Sequence, residues 1–292
     1  MFFGRHGEVE RLAGLLRSPV ERADKAVVLV LGPSGCGKSS LVRAGLLHAM
    51  AEEPGWCTLP PILPGADPVA TLARQLAATA QQLGRDWTVA DVLHRLDDGG
   101  LTALADELLH AARARRLLVV VDQFEELLTQ TPSPQRARFA QLLHPALGGP
   151  VQVVATLRSE FLDQLLADAD LRVLPTRPYP LRPLHREALR AVIEGPAKLA
   201  GIAIDDDLVA RLVDDTDSGE ALPLRAFTLS QLAHGVPRDG RLSQQRYDQL
   251  GGVQPAPPPE WGIPFAELAR TVGIPTGLAS THTTANLALY TV

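Results

Sequence analysis

Residues 25–40 read KAVVLVLGPSGCGKSS, and this stretch is the most informative part of the sequence about the fold. Residues 25–31 form a continuous aliphatic run, which is typical of a strand buried on both faces. Residues 32–39 match G-x-x-x-x-G-K-[ST], the pattern of a loop that wraps phosphate groups, and residues 39–51 predict a helix. Because a strand, a glycine-containing loop and a helix follow each other in the order that the pattern requires, we predict a phosphate-binding loop.

The residue types in this loop each have a chemical role. Its glycines let the backbone curl so that several N–H groups converge on phosphate oxygens, and the N-terminus of the following helix adds positive potential. Lys38 is expected to reach the β- and γ-phosphates, and the Ser39 hydroxyl to bind Mg²⁺. The predicted phosphate-binding residues are Gly32, Pro33, Ser34, Gly35, Cys36, Gly37, Lys38, Ser39 and Ser40.

A second aliphatic run, residues 117–121, ends at Asp122. An aspartate at the carboxyl end of a buried strand is where proteins with such a loop hold the water shell of Mg²⁺. Ser39 and Asp122 are therefore the predicted metal-binding residues.

The residues after Asp122 bear on hydrolysis. Gln123 stands where many ATPases of the additional-strand class carry a glutamate that activates the attacking water. Glutamine can orient water but cannot accept its proton. Glu125 or Glu126 is the alternative catalytic carboxylate, and the sequence leaves the choice between them open. We therefore expect slow hydrolysis.

A third strand is predicted over residues 151–157, and it ends at Arg158. A cation at the end of this strand could contact the γ-phosphate and report whether it is present. Lys38, Asp122, Arg158 and the two glutamates are the candidate catalytic residues.

Aliphatic strands alternate with helical patterns, which predicts an α/β fold with a parallel sheet covered on both faces. A further short strand is predicted near 57–63, and helices at 8–17, 67–83, 88–97, 101–115 and 135–147. No strand is predicted after about residue 182, where helical patterns at 185–194, 206–215 and 222–234 indicate a helical subdomain. We expect a nucleotide-binding core over 1–181, the helical subdomain over 182–253, and a proline-rich linker with an unassigned tail over 254–292.

Composition excludes several classes of protein. The 28 basic and 33 acidic residues give a net charge of −5, and aromatic residues make up 4%, so neither a nucleic-acid surface nor base stacking is expected. Two cysteines without metal-ligand spacing exclude a disulfide framework and a zinc site. Glu8 and Glu10 interrupt any N-terminal signal, and no apolar run is long enough for a membrane helix. We expect a cytoplasmic protein without a membrane partner, and the arginine-rich composition suggests a bacterial source.

The base is predicted by elimination. Guanine is recognised by an Asn/Thr-Lys-x-Asp pattern, and neither Lys25, which follows Asp24, nor Lys198, which follows Ala197, provides it. ATP or ADP is therefore the expected nucleotide. The chain has no H-E-x-x-H and no G-x-S-x-G pattern, which argues against zinc-protease and serine-hydrolase chemistry. A small-molecule kinase would leave the acidic stretch after Asp122 unexplained.

With these residues identified, the chain resembles the STAND group, the signal-transduction ATPases with numerous domains, and is most similar to the bacterial novel STAND NTPase domain. Five blocks carry the resemblance and span about residues 3–253. They are Phe3-Gly-Arg5 with the helix after it, the phosphate loop running into LVRAGLL at 41–47, residues 119–127 with DQFEEL, residues 155–161, and residues 221–224.

The resemblance implies a P-loop NTPase sheet of the additional-strand type, with one strand between the phosphate-loop strand and the Asp122 strand, and a helical lid subdomain. It implies that Gly4, Arg5 and Pro223 approach the adenine or ribose. Members of this group are switches in which ADP holds a closed state, while ATP opens it and often drives self-association. Arg158 and Lys38 would then read the γ-phosphate.

Two functions follow from these expectations. The leading one is an ATP-binding STAND-type regulatory switch with slow Mg²⁺-dependent hydrolysis and a protein partner yet to be identified. The alternative is a truncated nucleotide-binding or interaction module without significant turnover. Relatives usually continue into a winged-helix segment and repeats, whereas this chain ends at residue 292, and the match fades after residue 253. We therefore hypothesise that residues 254–292 are a divergent end.

Overall fold

The structure is a computed structural model, and it describes residues 3–17, 25–214, 222–234 and 236–249. It divides into two compact units. The sheet unit comprises the described residues of 7–33 and 41–181, and the helical unit comprises residues 3–6, residues 34–40 and the described residues from 182 onward. The tail expected at 254–292 lies outside the described residues.

Five parallel strands form the sheet, in the order β2-β3-β4-β1-β5. They are β1 (Val27–Gly32), β2 (Trp56–Thr58), β3 (Arg116–Val121), β4 (Val151–Arg158) and β5 (Thr176–Pro180). Strand β4 separates β1, which leads into the phosphate loop, from β3, which leads into Asp122. This order confirms the predicted α/β fold with an additional-strand parallel sheet.

Helices connect the strands. From the N-terminus to β5 they are α1 (His6–Arg17), α2 (Lys38–Ser40), α3 (Leu47–Ala51), α4 (Pro68–Gln82), α5 (Val89–Ala112), α6 (Glu126–Thr129), α7 (Ser133–Ala146) and α8 (Leu162–Ala167). The sequence predicts one uninterrupted helix over 39–51, whereas residues Leu41–Leu46 between α2 and α3 form a π-helix. The predicted helices at 88–97 and 101–115 are the two arms of α5, which kink at Gly100 because its φ of 71° is not helical.

The central strands are buried on both faces, as their aliphatic composition predicts. All six residues of β1 are buried. Alternate residues of β1, β3 and β4 pack into one hydrophobic core with the apolar faces of α4, α5 and α7. The core fixes these strands relative to each other, and their carboxyl ends therefore form a rigid edge.

Two strand predictions are corrected by the structure. Strand β5 is absent from the sequence-based prediction because its residues are mostly exposed and include Pro178 and Pro180; prolines are tolerated there because β5 is an edge strand. After residue 182 the sequence predicts no strand, yet Ala203–Ile204 (β6) and Arg241–Leu242 (β7) pair in parallel. Two-residue strands are too short to produce a sequence pattern.

The helical unit contains four helices after residue 182 in its described part. They are α9 (Arg186–Ala200), α10 (Asp206–Asp214), α11 (Leu222–Ala233) and α12 (Gln244–Gln249). Their core includes Ile193, Leu208, Leu232 and the fully buried Tyr247. The prediction ended the first helix at 194, whereas α9 continues through Pro196.

Both cysteines are free and buried. Burial raises the pKa of the Cys57 thiol in β2, which keeps this side chain protonated and unreactive at neutral pH. Within the described residues, no helix combines the length and apolar character that a membrane crossing requires.

Candidate functional site

The carboxyl ends of β1, β4 and β3 meet at one edge of the sheet. Gly32, the first residue of the phosphate loop, pairs in register with Arg158, and Val121 pairs with Ala155. Since Asp122 follows Val121 directly, the sheet register brings the start of the loop, Arg158 and Asp122 to the same edge. Open parallel α/β sheets bind their ligands at this edge.

Asp122 is completely buried, and both of its carboxylate oxygens have polar neighbours. Oδ1 accepts hydrogen bonds from the Thr156 hydroxyl at 2.6 Å and from the Gln123 N–H at 3.1 Å. Nε of Arg43 lies 2.7 Å from Oδ2. A buried carboxylate is costly unless hydrogen bonds and an opposite charge replace its hydration, and these three partners do so.

Thr156 is the residue of this edge to which sequence reasoning assigned no role. Besides donating to Asp122, its hydroxyl accepts from the Gln123 N–H at 2.9 Å, and its carbonyl accepts from the Phe124 N–H at 2.8 Å. It therefore ties the turn after β3 to β4. The available signal was a hydroxyl in a mostly aliphatic strand, because such a group needs a polar partner when the strand is buried.

Gln123 lies in a turn that changes the direction of the chain after β3. Its φ is 57°, the left-handed region that residues other than glycine seldom adopt. The two hydrogen bonds of its N–H hold this backbone conformation. The turn places Phe124, which is fully buried, in the core. Gln123 therefore has a backbone role in this turn.

The two candidate catalytic glutamates are in different environments. Glu125 Oε1 lies 3.1 Å from Nε of Arg158, so two residues that the sequence singled out separately form an ion pair. The Glu125 side chain is 10% exposed and that of Arg158 is 44% exposed. Glu126 instead accepts the backbone N–H of Gly65 at 2.9 Å, which anchors the loop after β2. The geometry favours Glu125 over Glu126 as the carboxylate near the phosphate-loop edge.

The phosphate loop has the backbone that its glycines predict. Gly35 and Gly37 have φ values of 74° and 90°, which a side chain would disfavour. Helix α2 begins at Lys38, directly after the loop. Gly32 and Pro33 belong to the sheet unit, whereas residues 34–40 belong to the helical unit.

Within the helical unit, Arg5 braces the loop. Its guanidinium donates to the carbonyl of Cys36 at 2.9 Å and to the carbonyl of Arg182 at 2.9 Å, and the residue is 3% exposed. Gly4 has a φ of 78°, and a Cβ there would lie 2.7 Å from the carbonyl oxygen of Ala188. Gly4 and Arg5 thus have a clear structural role, and their predicted contact with adenine or ribose stays a prediction.

Pro223 belongs to the first turn of α11. Its side chain lies outside the described part of the structure, so its predicted contact with the nucleotide stays a prediction. Within the described residues, no cluster of three or more His, Cys, Asp or Glu side chains is arranged to hold a metal ion.

Sequence comparison identifies a family. The model of the family described as Novel STAND NTPase 1 matches residues 1–256. A search of curated proteins gave no match.

Solved structures share the fold at low sequence identity. Cdc6p from Pyrobaculum aerophilum has a TM-score of 0.53 and 16% identity, with 90% of this chain and 71% of that chain covered. The Aeropyrum pernix ORC1 protein in complex with DNA has a TM-score of 0.50 and 20% identity, with 85% of this chain and 65% of that chain covered. The Aeropyrum pernix ORC2 protein in ADPNP–ADP complexes has a TM-score of 0.50 and 18% identity, with 92% of this chain and 67% of that chain covered. This chain therefore spans about two thirds of their length, and the likeness shows the fold.

The hydroxyl of Thr156 should contribute measurably to stability. In Thr156→Val, Asp122 and the Gln123 N–H lose a buried partner, and we expect the free energy of unfolding to fall by about 1–3 kcal/mol. Thr156→Ser keeps the hydroxyl and is the matched control. Urea unfolding followed by circular dichroism measures both variants, and equal stability of the valine and serine variants would contradict the role given to this hydroxyl.

Proposed function

Since this chain belongs to the Novel STAND NTPase 1 family, we propose that it is a regulatory switch that binds ATP or ADP with Mg²⁺ and hydrolyses ATP slowly. One observation carries the proposal: the register of β1 and β4 pairs Gly32, at the start of the phosphate loop, with Arg158. This pairing puts a cation beside the residue at which the phosphate loop begins.

The phosphate loop supports nucleotide binding. The left-handed glycines Gly35 and Gly37 allow successive N–H groups to face one anion, and Lys38 at the start of α2 supplies a positive charge. Adenine is proposed because the guanine-reading pattern is missing from the sequence. The similar fold of the ORC2 protein, which was solved with ADPNP and ADP, is in line with this choice.

The donor chemistry fits Mg²⁺. The Ser39 hydroxyl and the Asp122 carboxylate are oxygen donors, the type that Mg²⁺ prefers. Mg²⁺ at a nucleotide keeps several waters and needs one or two carboxylates, so a cluster of three acidic residues is not required. Bound there, the ion would neutralise charge on the phosphates.

The Glu125–Arg158 ion pair gives ATP and ADP different contacts, which a nucleotide switch requires. In the structure Arg158 pairs with Glu125 at 3.1 Å, and we propose that this pair persists with ADP. A γ-phosphate is a stronger anion than one carboxylate, and a half-exposed arginine has room to move toward it.

Slow hydrolysis follows from the same contacts. Gln123 cannot accept a proton, and the Glu126 carboxylate binds the Gly65 N–H. Glu125, the remaining carboxylate of this stretch, is paired with Arg158. These contacts also favour a second candidate function, a nucleotide-binding module without significant turnover.

Partners other than the nucleotide are proposed from the family alone. STAND proteins often self-associate in the ATP state, and we propose the same for this chain, together with a protein partner. No nucleic-acid partner is proposed, although the ORC1 neighbour was solved with DNA, because the net charge is −5 and α10 begins with Asp206 and Asp207.

Substitution of Lys38 tests nucleotide binding. Lys38→Ala removes a charged contact to phosphate worth about 2 kcal/mol, so we expect both ATP and ADP affinity to fall roughly 30-fold and hydrolysis to be lost. Lys198→Ala is the matched control, because Lys198 is exposed and pairs with Glu194 at 2.9 Å. Calorimetry measures the affinity for each nucleotide, and phosphate release measures ATP hydrolysis. Unchanged affinity in Lys38→Ala contradicts the proposal, and binding without hydrolysis in the parent selects the second candidate.

Substitution of Arg158 tests the switch. In Arg158→Ala we expect ATP affinity to fall about tenfold with ADP affinity nearly unchanged, because only the γ-phosphate is read by this side chain. Arg138→Ala is the control, since Arg138 forms an exposed ion pair with Asp97. Calorimetry measures both affinities. Equal losses of ATP and ADP affinity would contradict the role of Arg158 in distinguishing the two nucleotides.

A further inference from the structure

Arg43 faces the carboxylate of Asp122 from the helical segment that follows the phosphate loop. It belongs to the π-helix Leu41–Leu46, and its Nε lies 2.7 Å from Oδ2 of Asp122. Its side chain is 26% exposed, whereas that of Asp122 is fully buried. A π-helical turn inside a helix is uncommon and often occurs where function requires a particular side-chain position.

The two carboxylate oxygens of Asp122 have different neighbours. Oδ1 accepts from the Thr156 hydroxyl and the Gln123 N–H, both of which belong to the rigid sheet edge. Oδ2 faces the guanidinium of Arg43. Oδ2 is therefore the oxygen that lies next to the positive charge of Arg43.

The charge balance of this pair matters for a dication. Asp122 and Arg43 together carry no net charge, so the electrostatic attraction that an aspartate normally provides for Mg²⁺ or its water shell is largely cancelled. A guanidinium beside Oδ2 also repels a dication directly, and such repulsion is strong in a buried setting. An arginine side chain carries a fixed positive charge in proteins.

We propose that Arg43 is a built-in counter-cation of Asp122 that competes with Mg²⁺ for this carboxylate. The inference rests on the proposed nucleotide binding and deepens it. Arg43 acts through Asp122 and is a positioning residue. The competition makes ADP binding depend only weakly on Mg²⁺ and raises the Mg²⁺ concentration needed to load the nucleotide-bound protein.

The test compares ADP binding to the full chain in EDTA and over a Mg²⁺ titration, read by calorimetry and by the thermal unfolding midpoint. Arg43→Gln removes the charge, and we expect the half-saturating Mg²⁺ concentration to fall about tenfold or more. Arg43→Lys keeps a positive charge and should retain a midpoint near that of the parent. Arg136→Gln is the matched control, because Arg136 is a partly buried arginine paired with Asp168 and Asp170, and its loss should leave the Mg²⁺ midpoint unchanged.

The wild-type chain provides a second measurement that does not depend on the folding of a variant. We expect Mg²⁺ to improve its ADP affinity by less than about tenfold. A hundredfold improvement, or a Mg²⁺ midpoint that stays the same or rises in Arg43→Gln, overturns the competition. A wild-type chain that binds ADP in neither EDTA nor Mg²⁺ overturns the proposed function, and the inference with it.

Discussion

The buried negative charge of Asp122 is the constraint on which the rest of the sheet edge depends. Its carboxylate is removed from water at the end of β3, so the surrounding residues must supply the missing hydrogen bonds and charge. The Thr156 hydroxyl and the Gln123 N–H donate hydrogen bonds to one oxygen, and Arg43 forms an ion pair with the other. The left-handed backbone of Gln123 and the π-helical segment of Arg43 are local departures from regular geometry that coincide with these contacts.

The two units hold different candidate residues. The sheet unit holds Asp122, Arg158 and Glu125 on rigid strand ends or directly after them, whereas the helical unit holds residues 34–40 of the phosphate loop. In the helical unit Arg5 donates one hydrogen bond to the carbonyl of Cys36, in the loop, and another to the carbonyl of Arg182. The N-terminal Gly-Arg pair therefore connects the phosphate loop to the chain that leads into α9.

Much of the sheet edge could be predicted from the sequence. Strands β1, β3 and β4 are aliphatic because both of their faces are buried, and the polar residues that follow them mark the edge where parallel strands end. The relation between residues on different strands could not be predicted. Contacts between side chains depend on strand register and side-chain direction, and neither is visible as a pattern in one sequence. Examples are the ion pair of Glu125 with Arg158, the hydrogen bond from Thr156 to Asp122, and the contact of Arg43 with Asp122. Strand β5 was not predicted because Pro178 and Pro180 interrupt the usual pattern of a strand. The π-helix was not predicted because the same residues also suit an α-helix.

The proposed switch requires a working adenine-nucleotide site in this chain. The most direct measurement is to denature freshly purified protein and identify the released nucleotide by chromatography. We expect close to one ADP or ATP per chain, and we expect this nucleotide to be lost when Lys38 is replaced by alanine. Protein that releases no nucleotide, and that also fails to bind added ATP with Mg²⁺, would contradict the proposed switch.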